Sequence, residues 1–167
     1  FLVALLVSLT RAQQTTQIVC SFTVSGGDYD CNVMFSVVPD DENALILVTG
    51  QHQINRDDNH VTRVFINNSF HPFIVRAFFT TFPNLHTYGY AQSTSPFRIQ
   101  HNAFLNTPGL RTISITGTPL AIINNHAFQG ASNLETLNLD SNQLTTIPQF
   151  AFGGLAGLLN INLSGNN

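Results

Sequence analysis

Residues 133–154 read NLETLNLDSNQLTTIPQFAFGG, a stretch whose apolar residues are regularly placed yet fit neither common period. Leu134, Leu137, Leu139, Leu144, Ile147 and Phe152 are apolar, with Glu135, Asn138, Asp140, Asn142 and Gln143 between them. An amphipathic helix needs apolar residues at a period near 3.6, and a half-buried strand needs strict alternation. Only Leu137-Asn138-Leu139-Asp140 alternates, and then the pattern breaks. Such a segment buries its leucines only by packing against copies of itself.

The copies are present. Twenty-four residues upstream, Leu110, Ile113, Ile115, Leu120, Ile123 and Phe128 match position for position. Further back come Leu85, Tyr88, Tyr90, Phe97, Ile99 and Phe104, and then Val61, Val64, Ile66, Ile74 and Phe79. Downstream, Leu158, Ile161, Leu163 and Asn166 open another copy. The units therefore start near 61, 85, 110, 134 and 158. The pattern Ile-x-x-x-Ala-Phe recurs at one place as IQHNAF, INNHAF and IPQFAF, where IVRAFF stands in the first unit.

The pattern L-x-x-L-x-L-x-x-N-x-L-x-x-I-P-x-x-A-F-x-G-L resembles the extracellular leucine-rich repeat, which residues 134–155 match fully and residues 61–167 follow. The N-terminal block, with Cys20, Cys31 and VTGQH at 48–52, looks like that of secreted leucine-rich-repeat proteins of insects, of the mosquito type. The resemblance implies a leucine-rich-repeat solenoid in the α/β class but rich in strand. Its parallel strands would form a concave face, and its return limbs would be irregular or short helices. It also implies innate-immune or adhesion-type protein recognition, in a secreted or cell-surface protein.

The physical expectations stand beside that likeness. Each unit makes one short strand, and positions 64, 88, 113, 137 and 161 align inside. Asn142 and Asn166 fall at the turn after the strand, where a side-chain amide satisfies backbone groups of adjacent coils. Ser69, Ser93 and Thr118 hold that place earlier and do so only in part, which predicts looser early coils. Phe79, Phe104, Phe128 and Phe152 are expected to stack as a column on the return side. Residues 13–60 lose the period and read as a cap on the first coil, with Val33/Phe35/Val37 and Leu45/Leu47 as strands about the Pro39–Asn43 turn.

Composition sets further bounds. The chain has 167 residues, 43% hydrophobic, enough for a real core. Only 9% are charged, the formal net charge is −3, and no Lys/Arg run exists, which argues against nucleic acid and anionic membrane as partners. The apolar stretch Phe1–Leu9, followed by Thr10 and Ala12, reads as a signal peptide over residues 1–12 with an incomplete n-region. A buried strand or helix at the terminus is the other reading. In an oxidising compartment Cys20 and Cys31 most often pair, and Ser25-Gly26-Gly27-Asp28 lets the chain double back between them. Ending inside a repeat, the sequence reads as a fragment without membrane contact of its own, whose C-terminal continuation could carry an anchor.

Catalytic signatures are missing from the sequence. His52, His60, His71, His86, His101 and His126 form no metal-binding helical spacing, and Asp40-Asp41-Glu42 and Asp57-Asp58 lack calcium-loop spacing. No nucleophile elbow or phosphate loop occurs. The expectation is a non-enzymatic protein with no cofactor and no metal, binding a protein ligand or partner subunit. The candidate contact residues are Arg63, Phe65, His86, Arg111, Ser114, Glu135, Asn138 and Asp140, with Thr112 and Thr136 beside them; Phe65 alternatively packs under the cap. The sequons at Asn67 and Asn162 are candidate glycosylation sites. A structural or adhesive matrix protein is the competing expectation.

Overall fold

A computed structural model describes residues 15–167, so the signal-peptide expectation lies outside the described residues. The chain opens with a hairpin of β1 (Thr16–Ser25) and β2 (Asp28–Met34), paired antiparallel with Ser25 opposite Asp28. Its two-residue loop, Gly26-Gly27, has φ of 62° and 95°, the doubly positive turn that matches strand twist and that glycine adopts without steric cost. Cys20 and Cys31 form a disulfide across this hairpin, with Cα atoms 5.1 Å apart.

Strand β3 (Ile46–Gly50) lies parallel to β1. The repeat strands follow: β4 (Arg63–Asn67), β5 (Thr87–Ala91), β7 (Thr112–Thr116), β9 (Thr136–Asn138) and β10 (Asn160–Asn162). One eight-stranded sheet runs β10-β9-β7-β5-β4-β2-β1-β3, and β2 continues the repeat strands by pairing parallel to β4. The ladder aligns Val64, Tyr88, Ile113, Leu137 and Ile161. The first four are fully buried, whereas Ile161 on edge strand β10 is 45% exposed.

The return side differs from expectation in one respect. Besides a single short helix, α1 (Ala77–Thr81), it carries two parallel strands, β6 (Phe97–Ile99) and β8 (Leu120–Ile123), that pair as a second sheet. Phe97, Ile99, Leu120 and Ile123 bury inward from it. Behind it the four phenylalanine rings form a column: Phe79–Phe104 5.4 Å, Phe104–Phe128 5.4 Å and Phe128–Phe152 5.8 Å between centroids. Ala103, Ala127 and Ala151, each one residue before a column ring, are fully buried in the close-packed interior.

The cap departs from the sequence reading in register. Phe35 takes φ 57° and ends the strand, so β2 stops at Met34 and leaves Phe35 and Val37 exposed. In β3 the inward residues are Ile46 and Val48, while Leu45 and Leu47 face out. Strand side chains alternate, so a one-residue difference exchanges the buried set for the exposed one.

Candidate functional site: the open face of the sheet

The side chains of the repeat strands that point away from the core form three rows. The first contains Asp30, Arg63, Thr87, Thr112, Thr136 and Asn160. Asn32, Phe65, Gly89, Ser114, Asn138 and Asn162 make the second, and Met34, Asn67, Ala91 and Thr116 the third. Neighbours within a row stand about 4.8 Å apart and successive rows about 7 Å apart, as pleated-sheet geometry dictates. His86, Arg111 and Glu135 lie just before their strands, linked coil to coil by backbone bonds from Arg111 N to His86 O and from Glu135 N to Arg111 O. Asp140 follows β9, beyond the second row.

The charged candidates are not free. Arg63 Nε and Nη2 donate to the two carboxylate oxygens of Asp30 at 2.7 and 2.8 Å, and Nη1 sits 3.1 Å from Asp28. The Asp30 hydrogen bond raises the Arg63 pKa above its ordinary value against the opposing effect of burial. Burial alone would raise the Asp28 carboxyl; the hydrogen bond from Thr62 and the charge of Arg63, with the His86 imidazole 3.2 Å away, bring it net below its usual value. Arg111 pairs with Glu135 across one coil. These contacts gather the charges at the edge of the face into local pairs. Asp28 and Asp30 were not foreseen as members, because only the pairing of β2 with β4 brings them beside Arg63.

Phe65 is half-buried and lies across Gly89 of the next strand: a Cβ built on Gly89 would stand 2.7 Å from its Cδ1. The Arg63 guanidinium sits 5.6 Å from the ring centroid. A glycine inside a strand marks a close approach, and Gly89 within TYGYA was that signal in the sequence. Among the sequon residues, Asn67 is half-buried and ends the third row, while Asn162 is exposed in the second.

Below the face, the turn ladder carries the polar interior. Asn142 is 6% exposed, and its Nδ2 donates to the carbonyls of Ile115 (2.7 Å) and Leu139 (2.8 Å) while Oδ1 accepts from Thr118 N and Oγ1. Asn166 repeats the arrangement, donating to Leu139 and Leu163 and accepting from Leu144 N. In the early coils Tyr90 supplies what the serines lack. Its hydroxyl donates to Ser69 O at 2.9 Å, beside the Ser93 hydroxyl that reaches the same carbonyl. His71, fully buried, stacks on Tyr90 and meets Ser36 Oγ of the cap at 2.6 Å through Nε2. Burial lowers its pKa to about 4. The early coils thus keep part of the ladder through Tyr90 and Ser93, while His71 Nδ1, Tyr88 Oη and Asn102 Oδ1 stay buried without a partner.

The remaining candidates keep apart from the face. His101 and His126 meet edge to face on the return side, centroids 5.8 Å apart, and His101 Nδ1 bonds the Asn125 carbonyl. Asp40 and Glu42 bind Arg98, and Asp57 caps the 3-10 turn Asp58–His60. Among the described residues no group of His, Cys, Asp and Glu is arranged to hold a metal ion, and no helix is long and apolar enough to cross a membrane.

Stacked parallel strands, one per repeat, and an in-register asparagine turn are the architecture of the leucine-rich repeat. The family model for the leucine rich repeat matches residues 93–144 and 108–167 of the chain. No curated protein matches it. The coil from 61 and the start of the coil from 85, up to residue 92, lie outside that match, yet they share its sheet and register. Leucine-rich-repeat domains generally mediate protein–protein recognition and are typically non-enzymatic.

Proposed function

We propose that this chain is an extracellular, non-enzymatic recognition module whose open, concave sheet face binds a protein partner. The observation that carries this reading is the surface character of that face. Thr112, Ser114, Thr116, Thr136 and Asn138 present half-buried hydroxyls and an amide in ordered rows, with Phe65 laid flat at one side. Arg63 and Arg111 beside them are already engaged by carboxylates of their own chain. A rigid, preformed array of polar contacts around an aromatic anchor suits specific recognition, because little conformational entropy is lost on binding. The Cys20–Cys31 disulfide is compatible with an oxidising, extracellular compartment.

Occupied sequons at Asn67 and Asn162 would leave the middle strands, Thr87 to Asn138, as the usable part of the face. Amidase treatment of secreted material reports occupancy as a gain in mobility. The face itself is tested by partner capture on immobilised protein. A partner retained by the wild type is expected to be lost with Ser114→Trp and kept with Gln129→Arg, which lies exposed on the return side. Equal capture by both variants would place binding elsewhere.

A further inference from the structure

A groove on the return flank, between the cap and the third coil, holds about 380 Å³ and lies apart from the open face. Phe97 and Val38, both buried, lie at its base. Phe70 at 45% exposure forms one wall and Ile122 at 55% the other. Such large apolar side chains facing each other across an open trough are unusual on a surface that nothing covers. Pro72, Pro96 and Pro119 contribute one ring from each of three successive coils. Proline has a fixed φ and no N–H, so these walls are stiff and offer no backbone donor at those positions.

The polar rim decides the charge of the occupant. Arg98 crosses the groove edge with its guanidinium 5.5 Å from the Phe73 ring centroid. Its Nη2 donates to Asp40 at 2.7 Å and to Glu42 at 3.1 Å. Within the lining Asp40 and Arg98 balance, and Glu42 just outside it takes up further Arg98 donors, so an acidic ligand finds its natural cation already engaged. The volume sits at the small end of the range of ligand pockets, and the lining is mostly apolar, which suits a compact molecule better than a folded surface.

We propose that this groove is a binding site for a small uncharged lipophile, with an aromatic or branched aliphatic body and no acidic group. Its occupant and the partner of the open face would bind independently, since the two sites lie on different sheets and share no residue. The test is fluorescence titration with N-phenylnaphthylamine, a neutral apolar probe, and with the anionic anilinonaphthalene sulfonate. The neutral probe is expected to bind one-to-one and saturably, and the sulfonate at least about tenfold more weakly. Ala121→Trp, at an exposed position in the groove wall, fills the trough and is expected to weaken the neutral probe about tenfold with an unchanged circular dichroism spectrum. Ile122→Ser serves the same purpose if that variant folds poorly. Glu42→Gln is expected to narrow the gap between the two probes, and Ser114→Trp on the open face to change neither. Non-saturable uptake, binding that survives both groove variants, or equal affinity for the sulfonate would overturn the proposal.

Discussion

His71 is the residue whose chemistry most depends on its surroundings. It stands in the core with Nδ1 lacking a partner, Nε2 on Ser36 and its ring on Tyr90. Its folded pKa of about 4 lies below the unfolded value of 6.5, so the folded state binds fewer protons between those values. Its neutral form supports full stability above pH 6.5. Acidification removes that support progressively down to about pH 4, where the loss reaches about 3 kcal/mol. Denaturant titrations at pH 7 and pH 4.5 should show that loss in the wild type and a clearly smaller one in His71→Leu. An unchanged pH dependence in the variant would assign the acid sensitivity to other groups. At the same scale, Asn142→Ala takes the amide from the Ile115 carbonyl and from the Thr118 donors inside the protein, a cost of about 3 kcal/mol. Asn166→Ala, half-buried on the outermost coil, should cost about 1 kcal/mol. The two denaturation midpoints compare directly, and equal losses would contradict the role of burial.

Among the elements, β4 and β5 are coupled through one contact. A methyl on Gly89 meets the Phe65 ring at 2.7 Å, closer than real Cβ contacts, so the ring must turn off the sheet. Gly89→Ala should therefore cost about 1–2 kcal/mol in the wild type and markedly less in a Phe65→Ala background. A double-mutant cycle by chemical denaturation measures the coupling. Additive effects would mean that the ring does not rest on the glycine. The β1–β2 hairpin shows a different dependence. Its register is set by the Gly26-Gly27 turn and pinned by the disulfide, so Phe22 faces the core beside Tyr29 and His52.

Across the whole molecule, one sheet joins cap and repeats through the β2–β4 ladder. The protein has no tryptophan and three tyrosines, of which Tyr29 is in the cap and Tyr88 and Tyr90 are in the second coil. Tyrosine fluorescence and far-ultraviolet circular dichroism should accordingly report a single coincident transition. Reduction of Cys20–Cys31 should lower the midpoint by the equivalent of about 3 kcal/mol without splitting it. Two separated transitions would show that the cap is an independent unit.

Much of this was legible in advance where position in the repeat determines environment. Period alone placed Val64, Tyr88, Ile113 and Leu137 in one buried row, since no single coil can bury its apolar residues unaided. The same period put Asn142 and Asn166 at one turn and four phenylalanines in one column. Only the tertiary structure decided the cap's inward face, where Ile46 and Val48 replace Leu45 and Leu47, because register there depends on pairing with a distant strand. It alone brought Asp28 and Asp30 to Arg63, set the Tyr90 hydroxyl where the early coils lack an asparagine, and opened the proline-lined groove. A repeat encodes what each coil shares with the next. Contacts between unlike segments, cap against coil and flank against flank, arise only once the chain has folded.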